Sequence, residues 1–170
     1  MKLINIGVIG CAEIASRYVI PSILGLPNHF NLIGVASRTK EKAREFASKF
    51  DTVPFEGYNS LLDDNTVDAV YIPLPNALHA DWIEKALKKN IHVLVEKSLA
   101  CTYNDVIQLN DLAAKRKLAL VENFQFRFHP QLKLIKSIVD NGDIGDLRCF
   151  RSSFGFPPFK DEKNIRYQKQ

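Results

Sequence analysis

No stretch of this chain reaches the roughly 18 unbroken apolar residues that a membrane-spanning helix needs, so no helical span is expected. The first residues, Met1-Lys2-Leu3-Ile4-Asn5-Ile6-Gly7, enter an apolar strand pattern at once. They show no signal-peptide core followed by a cleavage site, which makes the cytoplasm the expected compartment. Cysteine is sparse: Cys11, Cys101 and Cys149 are widely separated, odd in number and without CxxC spacing. They read as reduced thiols, neither a disulfide framework nor a zinc site. The four histidines, His29, His79, His92 and His129, form no HxxxH pair, so no metal site is expected. A basic stripe with interleaved aromatics is also missing. The net charge is +4, and most of it falls in the tail, where Arg151, Lys160, Lys163, Arg166 and Lys169 outnumber Asp161 and Glu162. Nucleic acid is accordingly not an expected partner.

What is present is ordinary globular composition, 46% hydrophobic and 25% charged over 170 residues, enough for one full domain and part of another. Short β-branched runs alternate with helical patterns, which predicts an α/β fold with a doubly wound parallel sheet. The expected strands are Leu3 to Ile9, Phe30 to Ala36, Val53 to Phe55, Val67 to Ile72, Ile91 to Val95 and Leu118 to Val121. Between them the pattern predicts helices from about Ala12 to Leu24 (bent at Pro21), Lys40 to Phe50 with Thr39 as N-cap, about Ala77 to Lys89, and Thr102 to Arg116. A helical turn is expected over Asn59 to Leu62. Residues 1–122 thus read as a Rossmann-type domain. From 123 to 170 the pattern changes. Phe124, Phe126 and Phe128 alternate with polar residues as an extended segment, an amphipathic helix runs from about Pro130 to Asn141, and a strand is expected from Leu147 to Phe156 before a charged tail. One helix and one strand cannot close a second core, so this part reads as the start of an incomplete second α/β domain.

In an open parallel sheet, ligands bind beyond the carboxyl ends of the strands. Strand one ends in Gly10-Cys11-Ala12-Glu13-Ile14-Ala15 just before a helix. Set against G-x-G-x-x-G/A, Gly10 makes the tight turn, Ala12 stands where backbone approaches pyrophosphate, and Ala15 packs helix on strand. The methyl of Ala12 crowds the phosphate slightly. Cys11, Glu13 and Ile14 complete this candidate cofactor turn. After strand two the chain reads Ala36-Ser37-Arg38-Thr39-Lys40-Glu41-Lys42, without the acid that grips an NAD ribose. Ser37, Arg38 and Lys42 suit the 2′-phosphate of NADP(H) instead, with Arg38 also able to stack on adenine. The bland reading is a solvated basic turn opening a helix.

Strand four ends in Pro73-Leu74-Pro75-Asn76, a rigid loop on the nicotinamide side, with Asn76 as a natural N-cap and His79 one turn later. Both a packing role and a functional one stand open for His79. Strand five runs into Glu96-Lys97-Ser98. This is either a surface ion pair or a site in which Lys97 hydrogen-bonds a substrate oxygen as hydride moves.

Taken together, Gly7 to Ala15, Ala36-Ser37-Arg38, Tyr71 to Asn76 with His79, Glu96-Lys97 and Gly142-Asp143-Ile144-Gly145 resemble the glucose-fructose oxidoreductase/inositol dehydrogenase/MocA family over about Ile6 to Phe156. Gly-Cys-Ala-x-Ile-Ala is also similar to members that reduce 3-keto nucleotide sugars. The resemblance implies a nicotinamide-dependent oxidoreductase with a sugar or nucleotide-sugar substrate, a second domain that binds the sugar and a homo-oligomeric parent. It implies the catalytic role for Lys97, in a Glu-Lys-Pro motif whose proline is here Ser98. The family's proton-transferring Tyr or His lies beyond Gln170, so the chain reads as the cofactor half of the site. The alternative is a nucleotide-binding fragment without turnover.

Overall fold

In the computed structural model, residues 2–155 and 157 are described. The chain divides into two compact units, residues 1–125 and 126–170.

The first unit is a six-stranded sheet in the order β3-β2-β1-β4-β5-β6, every neighbouring pair parallel. The strands are β1 Ile4–Ile9, β2 Phe30–Ser37, β3 Val53–Glu56, β4 Ala69–Ile72, β5 His92–Val95 and β6 Leu120–Glu122. This is the doubly wound dinucleotide-binding order, in which successive strands are added outward in one direction from β1 to β3 and in the other from β4 to β6, with the switch point between β1 and β4. The helices are α1 Ile20–Leu24, α2 Lys40–Ser48, α3 Tyr58–Leu62, α4 His79–Lys88 and α5 Tyr103–Arg116.

Alternation along the central strands feeds two cores. Ile6 and Val8 of β1 join Val35, Tyr71, Ile20 and Phe46 on one side. Ile9 joins Ala36, Val70, Ile72, Leu61, Ile83 and Leu87 on the other. Leu87 and Ile83 lie four apart on α4 and are fully buried, each contributing about 1.5–3 kcal/mol by removal from water. Gly7 shares the face of Ile9, and a Cβ there would come within 2.8 Å of Leu61. The missing side chain is what lets α3 pack on β1.

Three local expectations in this unit differ from what forms. The first helix opens with a π-turn, Ala15–Val19, leading into α1. Pro21 has no N–H to return to the preceding turn, and the wider π-turn absorbs that loss where a bend was expected. Asn76 does not cap α4. It begins a 3-10 turn, Asn76–Leu78, and neither that turn nor α4 receives a side-chain cap. Thr39 stands at the N-cap position of α2 with extended backbone but makes no side-chain cap bond, whereas Thr102 caps α5 by accepting from the Asp105 N–H.

The second unit holds α6, Pro130–Asp140, with His129 capping by accepting from the Gln131 N–H. The aromatic segment around Phe126 is not extended; Gln125–Phe128 forms a 3-10 turn, a compact turn that satisfies its backbone locally where no neighbouring strand is at hand. The expected strand from Leu147 does not form over residues 147–155. A strand exists through its ladder, and no described segment pairs with this one. The end of that expected strand, Phe156, and the tail from residue 158 lie outside the described residues.

Candidate cofactor and substrate rim

The register brings the candidate residues level. Ile9 pairs with Ala36, Ile72 with Val95 and Val95 with Glu122. Gly10, Ser37, Pro73 and Glu96 therefore emerge together at the carboxyl edge. The backbone continues the ladder one step further: Gly10 N–H donates to the Ala36 carbonyl at 2.9 Å, Glu96 N–H to Ile72 at 3.0 Å and Asn123 N–H to Val95 at 2.8 Å.

Gly10 adopts φ +115°, a conformation open to glycine and costly for other residues. A Cβ on it would lie 2.7 Å from Leu74 Cδ2, so the turn after β1 and the loop after β4 close on each other only because Gly10 has no side chain. Helical backbone starts at Glu13, and the Ala12 carbonyl accepts from Ala15 and Ser16. The first N–H groups of a helix have no partner within it and point outward toward an anion. This cradle fits the pyrophosphate of a dinucleotide.

Beside it, Ser37 is buried, with 4% exposure, while Arg38 and Lys42 are exposed. Cys11, half-buried, lies over the start of α2 with its Sγ 3.8 Å from the Lys42 carbonyl. Burial pushes its thiol above the ordinary cysteine value, opposed by a hydrogen bond with Ser37 and the charge of Lys42. A cavity of about 290 Å³ joins Cys11, Glu13 and Ser16 to Lys42, Glu45, Phe46 and Lys49. Tyr58, which the sequence reading did not single out, belongs to this side: burial raises its phenol, and the charge of Arg38 opposes the rise. Its ring meets Trp82 edge-on at 4.9 Å.

On the other side of the switch point, Pro73 and Leu74 are buried, whereas Pro75, Asn76 and Lys97 are exposed. Glu96 and Lys97 do not form a surface ion pair with each other. Glu96 Oε1 accepts from the Tyr71 hydroxyl at 2.7 Å and from Asn123 Nδ2 at 2.7 Å. That anchoring holds Glu96 back from the rim and leaves the Lys97 side chain at the surface. The Lys97–Ser98 peptide is cis. Leu99 N–H donates to Glu122 Oε1 at 2.8 Å. Neither Tyr71 nor Asn123 was legible as a site residue, because the contacts span 25 and 27 positions of sequence.

His79 is fully buried. Its Nδ1 is 2.7 Å from the Ser98 carbonyl oxygen and its Nε2 2.7 Å from that of Leu74. A neutral ring donates to one of these and a doubly protonated ring to both. Of the two roles open for His79, the geometry displays the packing one: both nitrogens meet protein backbone and the ring is buried. Among the described residues, no group of three His, Cys, Asp or Glu side chains could hold a metal ion, and no helix is long and apolar enough to cross a membrane.

Tyr71 gives the site a pH signature. Burial, then the Glu96 hydrogen bond and charge, hold its phenol protonated well above the ordinary tyrosine range. The folded-state pKa is raised, so the contribution is complete below about pH 10, where unfolded tyrosine ionises, and is lost as pH rises further. Tyr71→Phe is expected to cost about 1.5–3 kcal/mol at neutral pH by removing a donor to a carboxylate. It should also flatten the fall in stability above about pH 10. Urea unfolding at several pH values checks both.

The family model for Gfo/Idh/MocA, an oxidoreductase family with an NAD-binding Rossmann fold, matches residues 4–124. This chain belongs to that family. It is 45% identical over 168 residues to dTDP-3,4-didehydro-2,6-dideoxy-alpha-D-glucose 3-reductase from Streptomyces violaceoruber, covering 99% of this chain and 48% of the relative. It is 33% identical to a D-xylose 1-dehydrogenase (NADP(+)) from Haloferax volcanii, covering 88% of this chain and 46% of that one. A crystal structure of a single-residue variant of a 3-ketoreductase from Actinomadura kijaniata, in complex with TDP-benzene and NADP, superposes with a TM-score of 0.90 at 43% identity. The match covers 98% of this chain and 51% of that one. The chain therefore spans about half the length of the relatives it matches.

Proposed function

We propose that these residues form the NADP(H)-binding half of an oxidoreductase that passes hydride between the nicotinamide and the carbonyl or hydroxyl of a nucleotide sugar. The 3-keto group of a TDP-sugar is the favoured substrate, on the strength of the reductase relatives. The observation that carries the reading is the register-aligned rim: the Gly10 turn at the switch point, an acid-free turn with Ser37 and Arg38 beside it, and Lys97 exposed on the same edge.

Gly10, Cys11, Ala12, Glu13 and Ile14 would hold the pyrophosphate against the helix start. Ser37, Arg38 and Lys42 would take the 2′-phosphate and adenine, while Pro73, Leu74 and Asn76 would flank the nicotinamide. The bound cofactor supplies or accepts the hydride. Lys97 would donate a hydrogen bond to the substrate oxygen and stabilise its alkoxide character. The same proposal includes a cytoplasmic, homo-oligomeric parent with no nucleic-acid or membrane partner. A second reading, binding without turnover, draws support from residues 147–155, which take no strand conformation.

Titration through the single tryptophan, Trp82, tests the cofactor assignment, because the reduced nicotinamide absorbs its emission. NADPH should bind at least about tenfold more tightly than NADH. Arg38→Ala should weaken NADPH by about 10- to 100-fold, the worth of one charged hydrogen bond, and leave NADH nearly unchanged. Tighter binding of NADH by the wild-type chain would overturn the assignment.

A further inference from the structure

Three anchors fix the β5 loop around Lys97. Glu96 is held by Tyr71 and Asn123, the Leu99 N–H donates to Glu122, and the Ser98 carbonyl meets His79 Nδ1. Only the last leads onward to the phosphate side of the rim. The other ring nitrogen of His79 sits at the Leu74 carbonyl, and the Leu74 side chain lies against the space that a Gly10 Cβ would fill. A single buried ring thus links the ends of β1, β4 and β5. Packing alone would be served by an apolar side chain of similar size. A ring with two polar atoms, each 2.7 Å from the backbone of a different rim loop, does more than fill volume.

Resting on the cofactor assignment above, we propose that His79 is a positioning residue that couples occupancy of the Gly10 turn to the setting of Lys97. A dinucleotide pressing on that turn would settle Leu74, and through the imidazole Leu74 would settle Ser98, the residue next to the lysine. His79 touches neither substrate nor cofactor; it acts through the two loops.

The test uses the chain as it is, with NADPH as probe and amide hydrogen exchange resolved by NMR as readout. In the wild-type chain, saturating NADPH should slow exchange at Ser98 and Leu99 by about fivefold or more, within the usual range of coupling between sites. His79→Phe keeps the ring volume and removes both polar contacts, while His79→Gln keeps one polar group of similar reach. Each should still bind NADPH within about tenfold of wild type and lose the protection at Ser98 and Leu99, with far-UV circular dichroism unchanged. Wild-type protection persisting in either variant overturns the coupling while leaving the cofactor assignment standing. Should the phenylalanine variant fail to fold, the glutamine variant decides, and unfolding of both makes His79 a stability residue and overturns the proposal. Failure of the wild-type chain to bind NADPH removes the assignment and the coupling together.

Discussion

Lys97→Met is expected to leave NADPH affinity within about threefold and to cut hydride transfer to a keto-sugar by about 10²- to 10⁴-fold, the usual worth of a positioned proton donor or oxyanion partner. Methionine preserves the length and apolar stem of lysine and removes the cation. Lys97 is exposed and no other side chain is anchored to it, so folding should change by no more than about 0.5 kcal/mol. The comparison therefore isolates chemistry from stability. It is read as NADPH absorbance lost with a TDP-3-keto sugar, alongside the cofactor titration. Equal turnover by wild type and variant would reduce Lys97 to a surface charge. Binding without turnover by the wild-type chain would favour the reading of a cofactor-binding piece.

The second large effect belongs to Gly10→Ala. At φ +115°, an alanine pays backbone strain of about 1–3 kcal/mol. Its methyl would also enter the space held by Leu74 Cδ2, 2.7 Å away. Leucine can swing aside, but Leu74 is only 9% exposed, and moving it disturbs the loop proposed to flank the nicotinamide. The expected result is a lowered melting temperature together with NADPH affinity reduced by at least about tenfold. Adding Leu74→Ala separates the two causes. It clears the methyl without relieving the φ angle, so the double variant should recover only part of the cofactor affinity and none of the backbone strain. Full recovery would show that crowding alone, and not the turn conformation, requires glycine.

Much of the first unit was legible before any coordinates. The six strands fall where the apolar runs predicted them, within two residues at their ends, because a strand covered on both faces must be apolar nearly throughout. The Gly10 turn and the acid-free turn at Ser37 and Arg38 were legible for a related reason: the shape and charge of a strand-to-helix junction are local, set by adjacent backbone and a few neighbouring side chains. The second unit was less legible. The alternating Phe124, Phe126 and Phe128 read as a strand, yet the segment takes a 3-10 turn. Periodicity reports which face of a segment is apolar, while only a hydrogen-bonding neighbour makes it a strand.

By itself, then, the order of apolar runs and helical stretches determined a parallel doubly wound sheet and the edge on which a ligand would sit, since both follow from neighbours along the chain. The tertiary structure alone decided that His79 lies buried between the Ser98 and Leu74 carbonyls. It also decided that Glu96 turns inward to Tyr71 and Asn123, leaving Lys97 exposed. Apart from the Leu74 contact, five positions from His79, those assignments depend on groups 19 to 27 positions apart meeting across strand ends. No local pattern records such meetings; they follow from the sheet register.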